Sequence, residues 1–151
     1  MFNTSVAASI EIAKPIEEVF GFVSNVEDSA NVFDEIKSIG LVEGANDQVG
    51  SRWAVQQKQG LFTFKYEFVL SELTAPEVVE YKFTLNGIRM RQVYSLTKSN
   101  IGTTLQMSQF TDEFPVWRVG YFIIDRLYSK FAIRRLERYL QTIKDKVEAA
   151  A

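Results

Sequence analysis

The segment from Leu61 to Leu73 carries the strongest two-residue alternation in the chain. Phe62, Phe64, Tyr66, Phe68 and Leu70 fall on one side, and Thr63, Lys65, Glu67 and Ser71 fall on the other. Successive side chains of a β-strand point to opposite faces, so this pattern predicts a half-buried strand with an aromatic inner face. Such a strand has to find partners and a cover, and the flanking sequence offers both. Ile36 to Glu43 and Ser51 to Gln59 precede it, separated by a turn at Gly44 to Gly50. After Pro76 breaks the run, Val79 to Leu85 places Val79, Tyr81, Phe83 and Leu85 opposite Glu80, Lys82 and Thr84. Asn86-Gly87 is a tight-turn signal. Ile88 to Thr97 then sets Ile88, Met90, Gln92, Tyr94 and Leu96 against Arg89, Arg91 and Ser95, and a turn at Ser99 to Gly102 leads into Thr103 to Thr111, where Leu105 and Met107 share a face. These short connections predict an antiparallel meander with one wet face and one apolar face.

The two ends of the chain read differently. Ser5 to Ala13 is a strand with Val6, Ala8, Ile10 and Ile12 inward. Pro15 suits a first helical position, Glu17 and Glu18 suit the positive end of the helix dipole, and Val19, Phe20 and Val23 supply an apolar face. Ser24-Asn25-Val26-Glu27 reads as a capping box for a second short helix through Val32 and Phe33. A long final helix is expected from Phe114-Pro115 to about Glu148. Its stripe is Ile133, Leu136, Leu140, Ile143 and Val147. In its first half Val116, Trp117, Val119, Tyr121, Phe122, Ile123, Ile124, Leu127, Tyr128 and Phe131 surround most of the circumference, which calls for more than one neighbour or for a hydrophobic ligand. Gly120 offers a place for a kink or a close contact. The fold class is therefore α+β, with about seven strands and one domain over residues 1–151.

Composition limits the chemistry. The 151 residues include no histidine and no cysteine. That excludes a Ser-His-Asp triad, imidazole metal sites, thiolate nucleophiles and disulfides. Surface scaling for a chain of 17.3 kDa buries roughly 70% of the unfolded area, enough for a core without staples. The net charge of −2 gives no global basic field, so no nucleic-acid partner is expected. No metal-binding spacing, P-loop or Gly-rich dinucleotide motif is present, so no cofactor is expected. The longest strongly apolar stretch, Val119 to Ile124, is far short of the roughly 20 residues of a membrane-spanning helix. The first residues do not resemble a signal peptide, and a cytoplasmic location is the expectation.

The residues Ile10-Glu-Ile-Ala-Lys-Pro-Ile-Glu-Glu-Val-Phe20 and Val23-Ser-Asn, followed by a helix and the strand series, resemble the opening of the START-like, or Bet v 1-like, superfamily. They are most similar to its polyketide cyclase/dehydrase-type and coenzyme Q-binding-type members. The element order carries the resemblance over essentially the whole chain. One departure is that Val32-Phe33-Asp34-Glu35-Ile36 stands where members often carry Trp and Pro. The resemblance implies a helix-grip fold, with a curved sheet wrapped around the last helix and an elongated apolar cavity between them. It implies that the cavity is faced by Trp53, Val55, Phe62, Phe64, Tyr66, Phe68, Tyr81, Phe83, Met90, Tyr94, Leu105 and Met107 from the strands, and by Phe122, Ile123 and Leu127 from the helix. The alternative is that these side chains fill a solid core.

Gln57, Gln92 and Gln109 interrupt the inward faces. A buried amide without a partner costs about 1–3 kcal/mol, so each needs a hydrogen-bond partner or a wet pocket. They read equally as ligand-orienting groups or as glutamines near strand ends that reach water. Arg126, three residues after Ile123, reads either as a surface group or as one projecting into a cavity mouth, and Arg89 and Arg91 read as solvated. The carboxylate pairs Glu17-Glu18 and Asp112-Glu113 both fall at expected helix starts, where capping explains them. Trp117 to Glu148 holds eight Arg or Lys and four Asp or Glu. That is either a solvated helix face or a surface for peripheral contact with an anionic membrane. The expected function is binding or carriage of a hydrophobic small molecule, such as a lipid, an isoprenoid quinone or an aromatic metabolite. The alternatives are a cyclase or dehydratase using Tyr, Arg and Gln groups in the same cavity, and a protein-interaction module.

Overall fold

A computed structural model describes the backbone of residues 2–85, 87–114 and 121–150, and within these the side chains other than those of 2–4, 59, 112–114 and 121–128. Seven strands form one antiparallel sheet: β1 (Phe2–Ile12), β2 (Ile36–Glu43), β3 (Arg52–Gln59), β4 (Phe62–Thr74), β5 (Val78–Leu85), β6 (Ile88–Lys98) and β7 (Thr103–Phe114). Their order is β1-β7-β6-β5-β4-β3-β2. Strands β2 to β7 are a meander, and β1 adds to the free edge of β7. Two short helices, α1 (Ile16–Ser24) and α2 (Val26–Ala30), fill the connection from β1 to β2, and α3 (Tyr121–Ala149) ends the fold.

The local reasons are visible in the side chains. In β1, Val6 and Ile12 are buried while Ser5, Ala7, Ser9 and Glu11 are exposed. Helix α1 begins one residue later than the sequence suggests. The Pro15 carbonyl accepts its first hydrogen bonds, from the Glu18 and Val19 amides, and Ile16, Val19 and Val23 are its buried face. Glu17 and Glu18 lie in its first turn, as dipole stabilisation requires. The cap of α2 is Asn25 rather than Ser24, with Asn25 Oδ1 accepting the Asp28 amide at 3.1 Å. This helix stops at Ala30, and Val32 and Phe33 belong to the following turn.

The end of β7 corrects a second expectation. Phe114 does not start a helix but pairs with Phe2 in the sheet, so Asp112 and Glu113 are strand residues rather than residues of a helix start. Residues 115–120 lie outside the described residues. The buried stripe of α3 is Ala132, Leu136, Tyr139, Leu140, Ile143 and Val147. Ile133 sits beside this stripe and Phe131 projects into solvent, because a 3.6-residue period turns both away from the sheet.

The C-terminal end of α3 is fastened to the turn between β1 and α1. Glu148 Oε2 accepts the Ala13 amide at 3.0 Å, Lys144 Nζ donates to the Glu11 carbonyl at 2.6 Å, and Lys14 Nζ donates to the Ala150 carbonyl at 3.2 Å. The Ala13 amide and then Lys144 hold the Glu148 carboxyl below its ordinary pKa. Gly102 lets the β6–β7 turn approach the same place. Its φ is +152°, and a Cβ there would lie 2.5 Å from the Ile12 carbonyl oxygen and 2.7 Å from the Lys14 nitrogen.

Candidate ligand-binding site

The strand register aligns the inward side chains into rows across the sheet. Leu96, Leu105 and Ile10 form one row, and Val79, Tyr94, Met107 and Ala8 form the next. Then come Leu70, Tyr81, Gln92, Gln109 and Val6, followed by Trp53, Phe68, Phe83, Met90 and Thr111. Beyond these lie Val55 with Tyr66, Gln57 with Phe64, and finally Phe62 beside the β3–β4 hairpin tip. The alternation read from sequence therefore becomes a two-dimensional surface.

Burial changes along that surface. Tyr94, Leu105 and Met107 are fully enclosed and share a hydrophobic cluster with Leu136, Leu140 and Ile143 of α3. Trp53, Val55, Phe68 and Tyr81 are buried as well. Phe64, Tyr66, Phe83, Met90, Gln57 and Gln109 keep part of their surface open. Phe83 and Met90 stand on β5 and β6, which have neighbours on both sides, but they lie one inward pair from the Leu85–Ile88 end of that hairpin and also border the outer groove described below. The α3 backbone runs beside β1 and touches β7, and no comparable approach to β3, β4 or β5 occurs among the described residues. Phe62 departs from the expectation: it is 70% exposed. It has the inward parity of its strand, but at the β3–β4 hairpin tip nothing among the described residues covers it. Phe122, Ile123, Leu127 and Arg126 lie outside the described side chains, although their backbone belongs to α3.

Aromatic rings dominate the part-filled region. Phe68 and Phe83 meet at 5.0 Å edge to face, and Tyr66 lies 5.5 Å from Phe68 and 5.7 Å from Phe83. Such pairs gain from the ring quadrupole as well as from burial. The polar groups are of two kinds. Tyr81 is committed to the scaffold, its hydroxyl donating to the Val23 carbonyl at 3.2 Å. The amides instead form a chain, with Gln109 Nε2 donating to Gln92 Oε1 at 3.3 Å and Gln92 Nε2 donating to the Tyr94 hydroxyl at 2.9 Å. Gln109 Oε1 and Trp53 Nε1 are inaccessible to solvent and have no partner among the described residues.

A further group was not legible from the alternation. Glu35, in the turn before β2, accepts the Tyr139 hydroxyl at 3.1 and 3.0 Å. Tyr139 is itself buried and packs edge to face on Phe33 at 4.3 Å. Tyr66 donates to Gln57 Oε1, and burial together with the nearby Glu35 charge pushes its phenol up to about 12. Burial, and then Glu35, likewise raise the Tyr139 phenol. Glu35 falls in the segment where the chain departs from the Trp and Pro of the superfamily pattern, and that departure was the only signal for it.

Outside the concave face, an open groove of about 460 Å³ is bounded by outward residues Lys65, Glu67, Val69, Lys82, Thr84 and Arg89, together with Tyr66, Phe83 and Met90. Arg91 is not simply solvated: its guanidinium lies 4.5 Å from the Phe110 ring and 3.5 Å from Glu80. Among the described residues no group of three or more Asp or Glu is placed to hold a metal ion, and no helix is long and apolar enough to cross a membrane.

The family model for polyketide cyclase/dehydrase and lipid transport matches residues 3–148. The chain belongs to that family. Solved structures agree on the fold within the START-like, or Bet v 1-like, superfamily. The ZhuI aromatase/cyclase from Streptomyces sp. R1128 is similar with a TM-score of 0.73 at 13% identity, covering 99% of each chain. Ara h 8.0201 gives 0.71 at 13%, covering 99% of this chain and 100% of that one. A protein from Thermus thermophilus gives 0.72 at 16%, covering 98% and 99%. A search of the curated proteins found no match. Family and fold together make this a hydrophobic-ligand-binding type of domain.

Proposed function

We propose that this domain binds and carries a hydrophobic small molecule, such as a lipid, an isoprenoid quinone or an aromatic polyketide-like metabolite. The molecule lies on the concave face between the sheet and α3. The observation that carries this reading is the cluster of half-buried rings on the inner face, where Tyr66 and Phe83 pack on Phe68 without being fully enclosed. Ligand sites are commonly concave, largely apolar and supplied with a few polar groups, and this face has that composition. Trp53, Phe64, Tyr66, Phe68, Phe83 and Met90 are the proposed walls, with Val55 beneath. Tyr94, Leu105 and Met107 form its closed floor. The test is titration with the uncharged dye N-phenyl-1-naphthylamine. Saturable fluorescence enhancement is expected, and Phe83→Trp, which fills the open space, is expected to weaken it at least tenfold. A dye that ignores the native protein overturns the reading.

Glu35 favours a second reading, that of a cyclase or dehydratase. A carboxylate hydrogen-bonded to buried Tyr139 and close to Tyr66 is placed to take a proton from carbon next to a substrate carbonyl, while a phenol hydrogen-bonds the developing enolate. Glu35→Gln would then abolish turnover of a poly-β-keto thioester analogue while dye binding persists. Equal turnover in the variant would eliminate this mechanism.

Peripheral membrane contact is a further proposal. It is supported by exposed Lys130, Phe131, Arg134 and Arg138 on α3. Co-sedimentation with phosphatidylglycerol vesicles but not phosphatidylcholine vesicles is the expected result.

A further inference from the structure

We infer that the Gln92–Gln109 pair anchors a neutral hydroxyl or carbonyl group of the ligand, so that the natural ligand is an uncharged apolar molecule bearing a phenol, alcohol or ketone rather than a fatty-acid-type anion. This inference rests on the concave-face reading and narrows it to a chemical class.

The amides sit side by side on neighbouring strands, because Gln92 pairs with Gln109 in the β6–β7 register. Together with Tyr94 they form a one-way chain of hydrogen bonds, leaving Gln109 Oε1 enclosed and unpaired among the described residues. The Tyr94 hydroxyl accepts from Gln92, and no acceptor for its own hydrogen occurs among the described residues. Buried polar groups in folded proteins are nearly always paired. Turning both amides over reverses the chain: Tyr94 donates to Gln92, Gln92 donates to Gln109, and Gln109 presents N–H instead of C=O. The free end can therefore meet either a donor or an acceptor. What it cannot supply is charge. The row holding the pair consists otherwise of Leu70, Tyr81 and Val6, so a carboxylate placed there would be desolvated without a cation from that row. Trp53 Nε1, a neutral donor on the same face, is unpaired among the described residues as well.

The test uses displacement of N-phenyl-1-naphthylamine from the intact chain by three ring-matched competitors. The expected order is 2-naphthol tighter than 2-methylnaphthalene by about fivefold, the effect of one net hydrogen bond, with 2-naphthoate weakest. Gln109→Leu is expected to bring 2-naphthol and 2-methylnaphthalene level while the dye still binds. If that variant fails to fold, the native protein labelled with nitrogen-15 glutamine still decides. Side-chain amide resonances should shift on adding 2-naphthol and stay fixed with 2-methylnaphthalene. Equal affinity of those two competitors for the native chain, with unmoved amides, would mean that water alone satisfies Gln109 and would overturn the inference. Tightest binding of 2-naphthoate would overturn it in favour of an anion site. Failure of the dye itself removes the concave-face reading and this inference with it.

Discussion

The two ends of the concave face belong to the same sheet and show the same alternation, yet they have opposite fates. At one end Leu96, Leu105, Tyr94 and Met107 are sealed into a cluster with the second half of α3 and with α1. At the other end Phe64, Tyr66, Phe83 and Met90 remain partly open, and Phe62 is exposed beside Leu61 at the hairpin tip. Hydrophobicity does not separate them, since the open end is the more aromatic. Among the described residues, the difference lies in what the last helix reaches. Strand parity decides which face a side chain joins, whereas coverage decides whether that face is core or binding surface.

The comparison predicts its own breaking points. Leu105→Ala at the sealed end is expected to lower unfolding free energy by about 2–5 kcal/mol in urea denaturation, the range for a large core deletion. A loss below about 1 kcal/mol would mean the floor is already loosely packed. Tyr94→Phe removes the acceptor of Gln92 Nε2 and is expected to cost about 1–3 kcal/mol, because a buried amide hydrogen loses its partner. Tyr66→Phe at the open end should cost less than about 1 kcal/mol, since Gln57 is partly open to water.

Alkaline titration distinguishes the ends without a mutation. The Tyr66 phenol ionises near 12 rather than the ordinary 10.0, and burial raises Tyr81 and Tyr94 also. The native state therefore keeps protons that the unfolded chain gives up. The Tyr66 contribution to stability is complete below about pH 10 and is lost as pH rises through about 12, while those of Tyr81 and Tyr94 are lost only at higher pH. Phenolate absorbance should show Tyr66 ionising before Tyr94 as pH rises, and simultaneous ionisation of both near pH 10 would refute the burial difference. The smallest effect belongs to Phe62→Ala, expected to change stability by no more than about 0.5 kcal/mol. A larger loss would show that the hairpin tip has a cover.

Much of this organisation was legible in the residues. The limits of β2 agree with the sequence reading, and the aromatic parity of β4 identifies the inner face from Phe68 and Leu70 outward. Gln92 and Gln109 stood out by parity, but their mutual hydrogen bond depends on which strands are neighbours and in which register. Ile133 had a helical spacing compatible with the stripe, yet Ala132 took the place because the sheet selects the angle of the helix. Glu35 escaped because a turn has no period to interrupt. Its importance comes from Tyr139, 104 residues later in the chain.

The fastening of α3 at Glu148, Lys144 and Ala150 has a mechanical consequence. A rod of 29 residues is about 44 Å long, and one held at its C-terminal end behaves as a lever pivoting about that end. A tilt of about 5° would displace the opposite end by about 4 Å, close to the thickness of an aromatic ring, and Leu136 of the sealed cluster by less than half as much. Cutting the Glu148 tether would loosen that pivot without touching the binding surface.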